Sequence, residues 1–442
     1  MLPIKPVPAP PRAVLGLFSA TAIVVASMVG TGIFTTTGFL VAGLRTAFPV
    51  IFLWFLGGLL ALCGALSYGE LSAAIPRSGG EYHFLGRVYH PLLGFIAGWL
   101  SLIVGFSAPI AAAAMAFGKY TAAVMPGFPP VAGAVVLVLL LSSIHMVDVK
   151  VGSYFQNFFT LLKVLLLIVF IVGGWFYLPE ATVIPSDKTF EWSTVFNPAF
   201  AVGLVFVSFA YSGWNGATYV IGEVKQPEKT IPLALFAGTV LVTLLYIALN
   251  AVFLRAVPLS ELSGVVEVGH LVAVSLFGIP AGNLISLLIA LALISSVSAM
   301  IMIGPRVYHT IGQDFYLFSL FSRTTRRGTP LMAIALQGSV AVIMIVTATF
   351  GALLNYIGFT LSLSTGLAVA GVIVLRRREP HLKRPYRTWG YPLVPILYFL
   401  LSLWMVCYNV WGRPVESLAG LLTIGVGAVL YYVSKRYQQN RS

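Results

Sequence analysis

Charge is what this sequence has least of: Asp, Glu, Lys and Arg make up 9% of its 442 residues, whereas hydrophobic side chains make up 59%. So little charge cannot dress an ordinary water-soluble surface, although the length would suffice for two or three soluble domains. The bilayer is the expected solvent. Cysteine is scarcer still. Cys63 and Cys407 both fall in apolar runs, so no external disulfide is expected and no redox compartment is indicated. Alternating apolar and polar positions in pieces of roughly 10 residues are absent, which excludes an outer-membrane barrel. Catalytic signatures are missing as well. There is no Gly-x-Ser-x-Gly elbow, and Gly118-Lys119 runs into Tyr120, so it is no phosphate loop. His83, His90, His145, His270, His309 and His381 lack metal-ligand spacing. No metal, cofactor or enzymatic activity is expected, an integral-membrane transferase being the residual enzymatic alternative.

What is present is a series of apolar runs, at 14–40, 47–72, 91–116, 128–147, 154–178 and 199–222, then 232–255, 281–304, 331–350, 354–375, 390–410 and 415–433. Each approaches the roughly 20 apolar residues that a helix needs to cross a bilayer of roughly 30 Å. Twelve transmembrane helices are expected. The Pro-rich stretch Pro3 to Pro11 before the first run, and the comparable runs after it, argue against a cleaved signal peptide.

The net charge of +13 does not point to nucleic acid, because the basic residues are segregated. With the N-terminus inside, the N-terminal segment, even-numbered loops and C-terminus carry twenty Lys and Arg; the odd-numbered loops carry only Arg45, Lys119, Lys188, Arg255 and Arg413. That asymmetry is the positive-inside rule with both ends cytoplasmic. The block Arg376, Arg377, Arg378, Lys383, Arg384 and Arg387 reads as an anchor on an anionic leaflet.

Two spans carry weak points near their middles: Gly30-Thr31-Gly32 in helix 1, and Tyr211-Ser212-Gly213-Trp214-Asn215-Gly216 in helix 6. Glycines in a span either break it or let helices pack closely. The two interruptions sit five helices apart, an odd number that reverses orientation, so helices 1–5 and 6–10 are candidate inverted repeats with a midplane site between them.

At these residues the chain resembles the amino acid, polyamine and organocation (APC) superfamily, and within it the L-amino-acid transporter-like permeases. The resemblance rests on Gly30-Thr31-Gly32-Ile33-Phe34; Pro76-Arg77-Ser78-Gly79-Gly80-Glu81-Tyr82 with Gly94-Phe95 and Gly98-Trp99; Tyr211 to Asn215 with Glu223 and Pro227; and Arg384-Pro385-Tyr386-Arg387 with Tyr391-Pro392. It implies an all-α integral membrane protein of the LeuT type. The first inverted repeat would occupy 14–178, the second 199–377 and two further helices 388–434, between tails at 1–13 and 435–442. It implies too that a substrate carboxylate sits at the N–H groups of Thr31 and Gly32, where the helix dipole is positive. The ammonium would lie against carbonyls of Met28, Phe209 and Ser212, with Gly30, Ala210 and Gly213 completing the site and Phe209 as an aromatic gate.

Lys163 interrupts an otherwise apolar helix 5, at a cost of at least roughly 2.5–3.5 kcal/mol near mid-span, and is therefore a functional candidate. By the resemblance its ammonium replaces a sodium ion, bridging helix 1 near Ser27 to Ser295 or Ser296 in helix 8. A lysine that loads and loses a proton gives proton symport, and one that stays charged gives exchange or facilitation. Glu70 and Glu223, at the ends of helices 2 and 6, are expected to latch the cytoplasmic gate on Arg or backbone N–H groups.

No acidic residue falls in the middle of helices 1, 3, 6, 8 or 10, which favours a neutral, small to medium amino acid over a cationic amino acid or a polyamine. A channel is the remaining alternative, since broken helices also line pores. Some relatives join a single-span glycoprotein through a cysteine between helices 3 and 4. Residues 117–130 hold none, so the chain is expected to act without a disulfide-linked heavy chain, as a monomer or homodimer, in the inner (plasma) membrane.

Overall fold

The structure is a computed structural model, which describes residues 15–77, 79–147, 151–177, 192–315, 318–325 and 329–439. The expected tail 1–13, Ser78, Lys188 and the end of the tail 435–442 lie outside them.

Helix 1 stops where the glycines stand. α1 (Leu17–Met28) ends as Val29 turns extended (φ −74°, ψ 93°), Gly30 continues at φ −141°, and α2 (Thr31–Leu44) begins one residue later. Next come α3 (Ala47–Ala74), the short α4 (Glu81–Val88), α5 (Pro91–Leu100) and α6 (Ala108–Val124). A π-helical turn, Ser101–Ser107, joins α5 to α6. Pro109 lacks the N–H that would continue an α-ladder, and the Ser107 hydroxyl donates to the Leu102 carbonyl at 2.8 Å, so the wide turn is satisfied locally. Then follow α7 (Pro130–Val147), α8 (Val151–Tyr177) and α9 (Pro198–Ala210). α9 starts with Pro198 behind an Asn197 cap, whose side chain accepts from the Ala199 N–H at 2.9 Å.

After α9 the sequence expectation needs amendment. Helix 6 does not resume as an α-helix: Gly216–Glu223 is a 3-10 helix, itself kinked at Val220. Gly213 sits at φ +96°, and Thr218 returns its hydroxyl to the Asn215 carbonyl at 2.7 Å, tightening the turn.

The chain continues through α10 (Pro227–Ala256), α11 (Leu259–Leu262), α12 (Val268–Asp314), α13 (Leu331–Thr347), α14 (Phe350–Arg378), α15 (Leu393–Gly412) and α16 (Pro414–Gln439). α12 is far longer than the run 281–304 and is kinked at Gly278, just before Pro280. The short α4 and α11 are too polar or too brief to register as apolar runs.

Among the described residues, eight helical stretches are long and apolar enough to cross a membrane, and Pro130–Met146, Leu161–Tyr177, Pro198–Ala210 and Leu331–Thr347 are shorter apolar helices. No strand occurs among the described residues; Leu15 and Val224 form an isolated bridge. The chain is thus an all-helical, multi-pass membrane protein. On α8, Leu161, Leu165, Ile168 and Val172 form an exposed apolar stripe suited to lipid, while Lys163, Leu166, Leu167 and Phe170 are buried on the opposite face.

The packed pairs include α2 with α9, α3 with α10, α6 with α12 and α7 with α13. Each of these joins an element before residue 178 to one five apolar segments later in the chain. α1 packs on α10, and α8 lies between α10 and α12.

Candidate functional site

The two interrupted helices meet at their interruptions. A Cβ on Gly32 would lie 2.4 Å from the Ala210 Cα, so the start of α2 touches the end of α9 at a distance that only glycine permits. Likewise a Cβ on Gly213 would fall 2.4 Å from the Ser27 carbonyl oxygen. Thr31 and Gly32 open α2, so their N–H groups have no partner within the helix and the dipole there is positive.

Exposure divides this junction. Ser27 is exposed and Gly30, Ser212 and Gly213 are half-buried, whereas Met28, Thr31, Gly32, Phe209 and Ala210 are buried. Aromatic rings back the junction from inside. Tyr246 of α10 donates its hydroxyl to the Met28 carbonyl at 2.6 Å, and Tyr211 donates to the Trp54 carbonyl at 3.0 Å. Trp54 stands edge-on to Tyr246, with ring centroids 5.5 Å apart. One carbonyl assigned to the substrate ammonium, that of Met28, is therefore already engaged by Tyr246. A second, that of Phe209, accepts the Ser212 N–H at 2.9 Å.

Lys163 is 3% exposed, and its ammonium donates to Ser296 Oγ at 2.7 Å. The structure thus brings Lys163 to helix 8, and Ser295 is buried next to that contact. The other arm of the expected bridge, to helix 1 near Ser27, is not made: among the described residues the ammonium's hydrogen bond is to Ser296.

Glu70 occupies the end of α3 that faces the 376–392 segment. Its carboxylate accepts from Arg376 Nε and Nη2, both at 2.7 Å, and from the Thr388 N–H at 2.7 Å, with Arg384 Nε at 3.6 Å. Such bidentate, charge-assisted geometry fixes orientation as well as energy. Glu223 behaves differently: its backbone carbonyl accepts from the Leu15 N–H at 3.0 Å, and its side chain joins no ion pair among the described residues.

The reading of the basic block as a lipid anchor needs correction. Arg376 binds Glu70, Arg378 donates to the Val88 carbonyl at 2.8 Å, and Arg384 donates to the carbonyls of Leu382, Glu379 and Leu375 at 2.8–3.0 Å. Arg377, Lys383 and Arg387 remain exposed. Carbonyls at and after the end of α14, and at the end of α4, accept these guanidinium N–H groups, which hydropathy alone does not register.

Sequence reasoning passed over several residues that the fold brings to the junction. Tyr246 and Asn250 lie in an unremarkable apolar span; Asn250 hydrogen-bonds Thr37 of α2 and donates to the Tyr246 carbonyl at 2.8 Å. Tyr120 donates to the Phe34 carbonyl at 2.8 Å and accepts the Gly269 N–H at 2.9 Å. Glu81 sits inside the quoted 76–82 motif, yet nothing local shows that it is buried against the helix 6 break.

The family model described as amino acid permease matches residues 15–430. The chain belongs to this amino acid permease family. The permease is 30% identical to the b(0,+)-type amino acid transporter 1 of Homo sapiens, over 96% of its own length and 88% of that protein. It is also 29% identical to the large neutral amino acids transporter small subunit 2 of Oryctolagus cuniculus, over 96% of its length and 81% of that protein. It is accordingly an amino acid transporter of the APC superfamily, in its L-amino-acid transporter-like group, and not an enzyme. That a relative is named a small subunit lends no support to the expectation of a permease acting without a heavy chain.

Proposed function

We propose that this permease carries neutral, small to medium amino acids by alternating access, with the substrate held at the junction of the two broken helices. The observation that carries the reading is the contact of Gly32 with Ala210, which sets the free N–H groups of α2 beside the end of α9. The carboxylate binds at Thr31 and Gly32. The ammonium binds at the Ser212 carbonyl and at the remaining lone pairs of Met28 and Phe209, with Gly213 allowing close approach and Phe209 and Ala210 as walls. A carbonyl oxygen has two lone pairs, so the Tyr246 bond does not exhaust Met28.

Twelve spans arranged as inverted repeats at 14–178 and 199–377, plus two further helices, fit the four pairings α2–α9, α3–α10, α6–α12 and α7–α13. Both termini lie in the cytoplasm by the distribution of basic residues. Lys163 is the built-in cation in place of sodium, giving exchange or proton symport, and Glu70 with Arg376 latches the cytoplasmic side; Glu223 acts there through its backbone. The chain works as a monomer or homodimer, without a disulfide-linked heavy chain: residues 117–130 hold no cysteine and Cys63 is buried, the exposed Cys407 lying on α15.

Competition by the twenty amino acids for uptake into proteoliposomes, with and without a pH gradient, tests the reading. Saturable counter-flow of neutral amino acids supports it, and a gradient-driven rise identifies the proton symporter. Linear flux, or inhibition by arginine and putrescine alone, refutes it.

A further inference from the structure

Glu81 is 6% exposed and joins no ion pair among the described residues, yet its carboxylate is held by three donors from two other parts of the chain. Tyr68 of α3 donates its hydroxyl to Oε1 at 2.9 Å, Asn215 its side-chain N–H to Oε1 at 2.7 Å, and Tyr219 its hydroxyl to Oε2 at 2.8 Å. An ionised carboxylate is an acceptor only, so three neutral donors on two oxygens satisfy it where an uncompensated buried charge would be costly. Charge-assisted bonds of this kind are roughly twice as strong as neutral ones, so the three donors are held more firmly than an amide acceptor would hold them.

The donors' addresses give the arrangement its meaning. Asn215 lies two residues beyond Gly213 in the unwound part of helix 6, and Tyr219 lies in the 3-10 segment that follows. Between them and α3, Trp214 is packed edge-on against Tyr68 at 4.7 Å. Glu81 itself opens α4, a helix fixed at its far end by Arg87 on Glu379 at 2.9 Å and by Arg378 on the Val88 carbonyl. Inside the unwound stretch the backbone keeps only short-range bonds, Ser212 to Phe209 and Gly216 to Gly213. Glu81 adds a tie from outside the stretch, on a helix fixed at its far end.

We infer that Glu81 is a positioning residue for substrate binding: through Asn215 and Tyr219 it holds the unwound stretch of helix 6 so that the Ser212 carbonyl and Gly213 face the substrate. Three of the carboxylate's roughly four acceptor sites are taken by these donors, so it is held in one orientation. The inference rests on the proposed site at the helix breaks.

The test is a double-mutant cycle on exchange kinetics of the full-length protein in proteoliposomes, with labelled L-alanine or whichever neutral amino acid the wild type exchanges fastest. Glu81→Gln is expected to raise KM at least fivefold with Vmax within threefold of wild type. Asn215→Ala is expected to raise KM as well, and adding Glu81→Gln to it to change KM by less than twofold. An unchanged KM in Glu81→Gln, or fully additive effects, overturns the inference. Should Glu81→Gln fail to reach the membrane, Tyr219→Phe and Asn215→Ala leave the carboxylate in place and carry the same cycle, with sub-additive effects expected and additive ones overturning. A wild type that exchanges no amino acid at all refutes instead the transport reading beneath it.

Discussion

The Tyr246 hydroxyl donates to the carbonyl of Met28 at 2.6 Å, at the residue where helix 1 stops. It takes a group left without a partner by the break and ties α10 to the end of α1. Asn250, one turn further along α10, hydrogen-bonds Thr37 of α2, so one face of α10 grips the chain on both sides of the interruption. The break is thus a supported structure whose geometry is set by a neighbouring helix.

Tyr246→Phe should leave the protein folded and in the membrane but bind substrate more weakly. Leaving a buried acceptor unpaired costs about 1–3 kcal/mol, of which the substrate site bears a part. Comparison of KM in proteoliposomes checks this, with a rise of about tenfold expected and an unchanged value contradicting the role of the hydroxyl.

Lys163→Ala should abolish or uncouple transport while membrane insertion persists, because the substitution removes a buried charge that helix folding does not require. Initial uptake rates, measured beside the amount of protein in the vesicles, decide it. Wild-type rates would show that Lys163 only packs against Ser296.

Gly32→Ala and Gly30→Ala form a matched pair. The added methyl at Gly32 meets backbone of Ala210 at 2.4 Å and must push the two breaks apart, whereas at Gly30 the nearest atom is the Met28 carbonyl oxygen at 3.9 Å. Transport should be lost in the first and largely kept in the second. Equal effects on exchange rate would dissociate the contact from function.

Glu70→Ala strips the partner from Arg376 and Arg384 at once. Breaking a buried ion pair by removing one member costs about 3–5 kcal/mol, so the melting temperature in detergent should fall by several degrees. A melting curve superimposable on that of the wild type would show that the latch contributes nothing to stability.

Much of this was legible in the sequence because the bilayer imposes strong and local rules. Apolar runs gave the helices, and the Gly30-Thr31-Gly32 stretch gave the place where helix 1 stops. Lys163 announced itself by the cost of a charge in a span. Less legible were lengths and local geometry: the extension of α12 to Asp314, the π-helical turn before Pro109 and the 3-10 segment after Gly216 depend on capping and side-chain hydrogen bonds that hydropathy does not see.

What the sequence determined by itself was solvent, secondary structure and the position of the weak points, since each follows from the composition of a window of about twenty residues. Only the tertiary structure decided what stands opposite those weak points. Tyr246 lies over 200 residues from Met28, and Glu81 over 130 from Asn215. Such pairings arise because an unpaired polar group is costly in a medium that offers no water, and the nearest partner in space need bear no relation to the nearest in sequence.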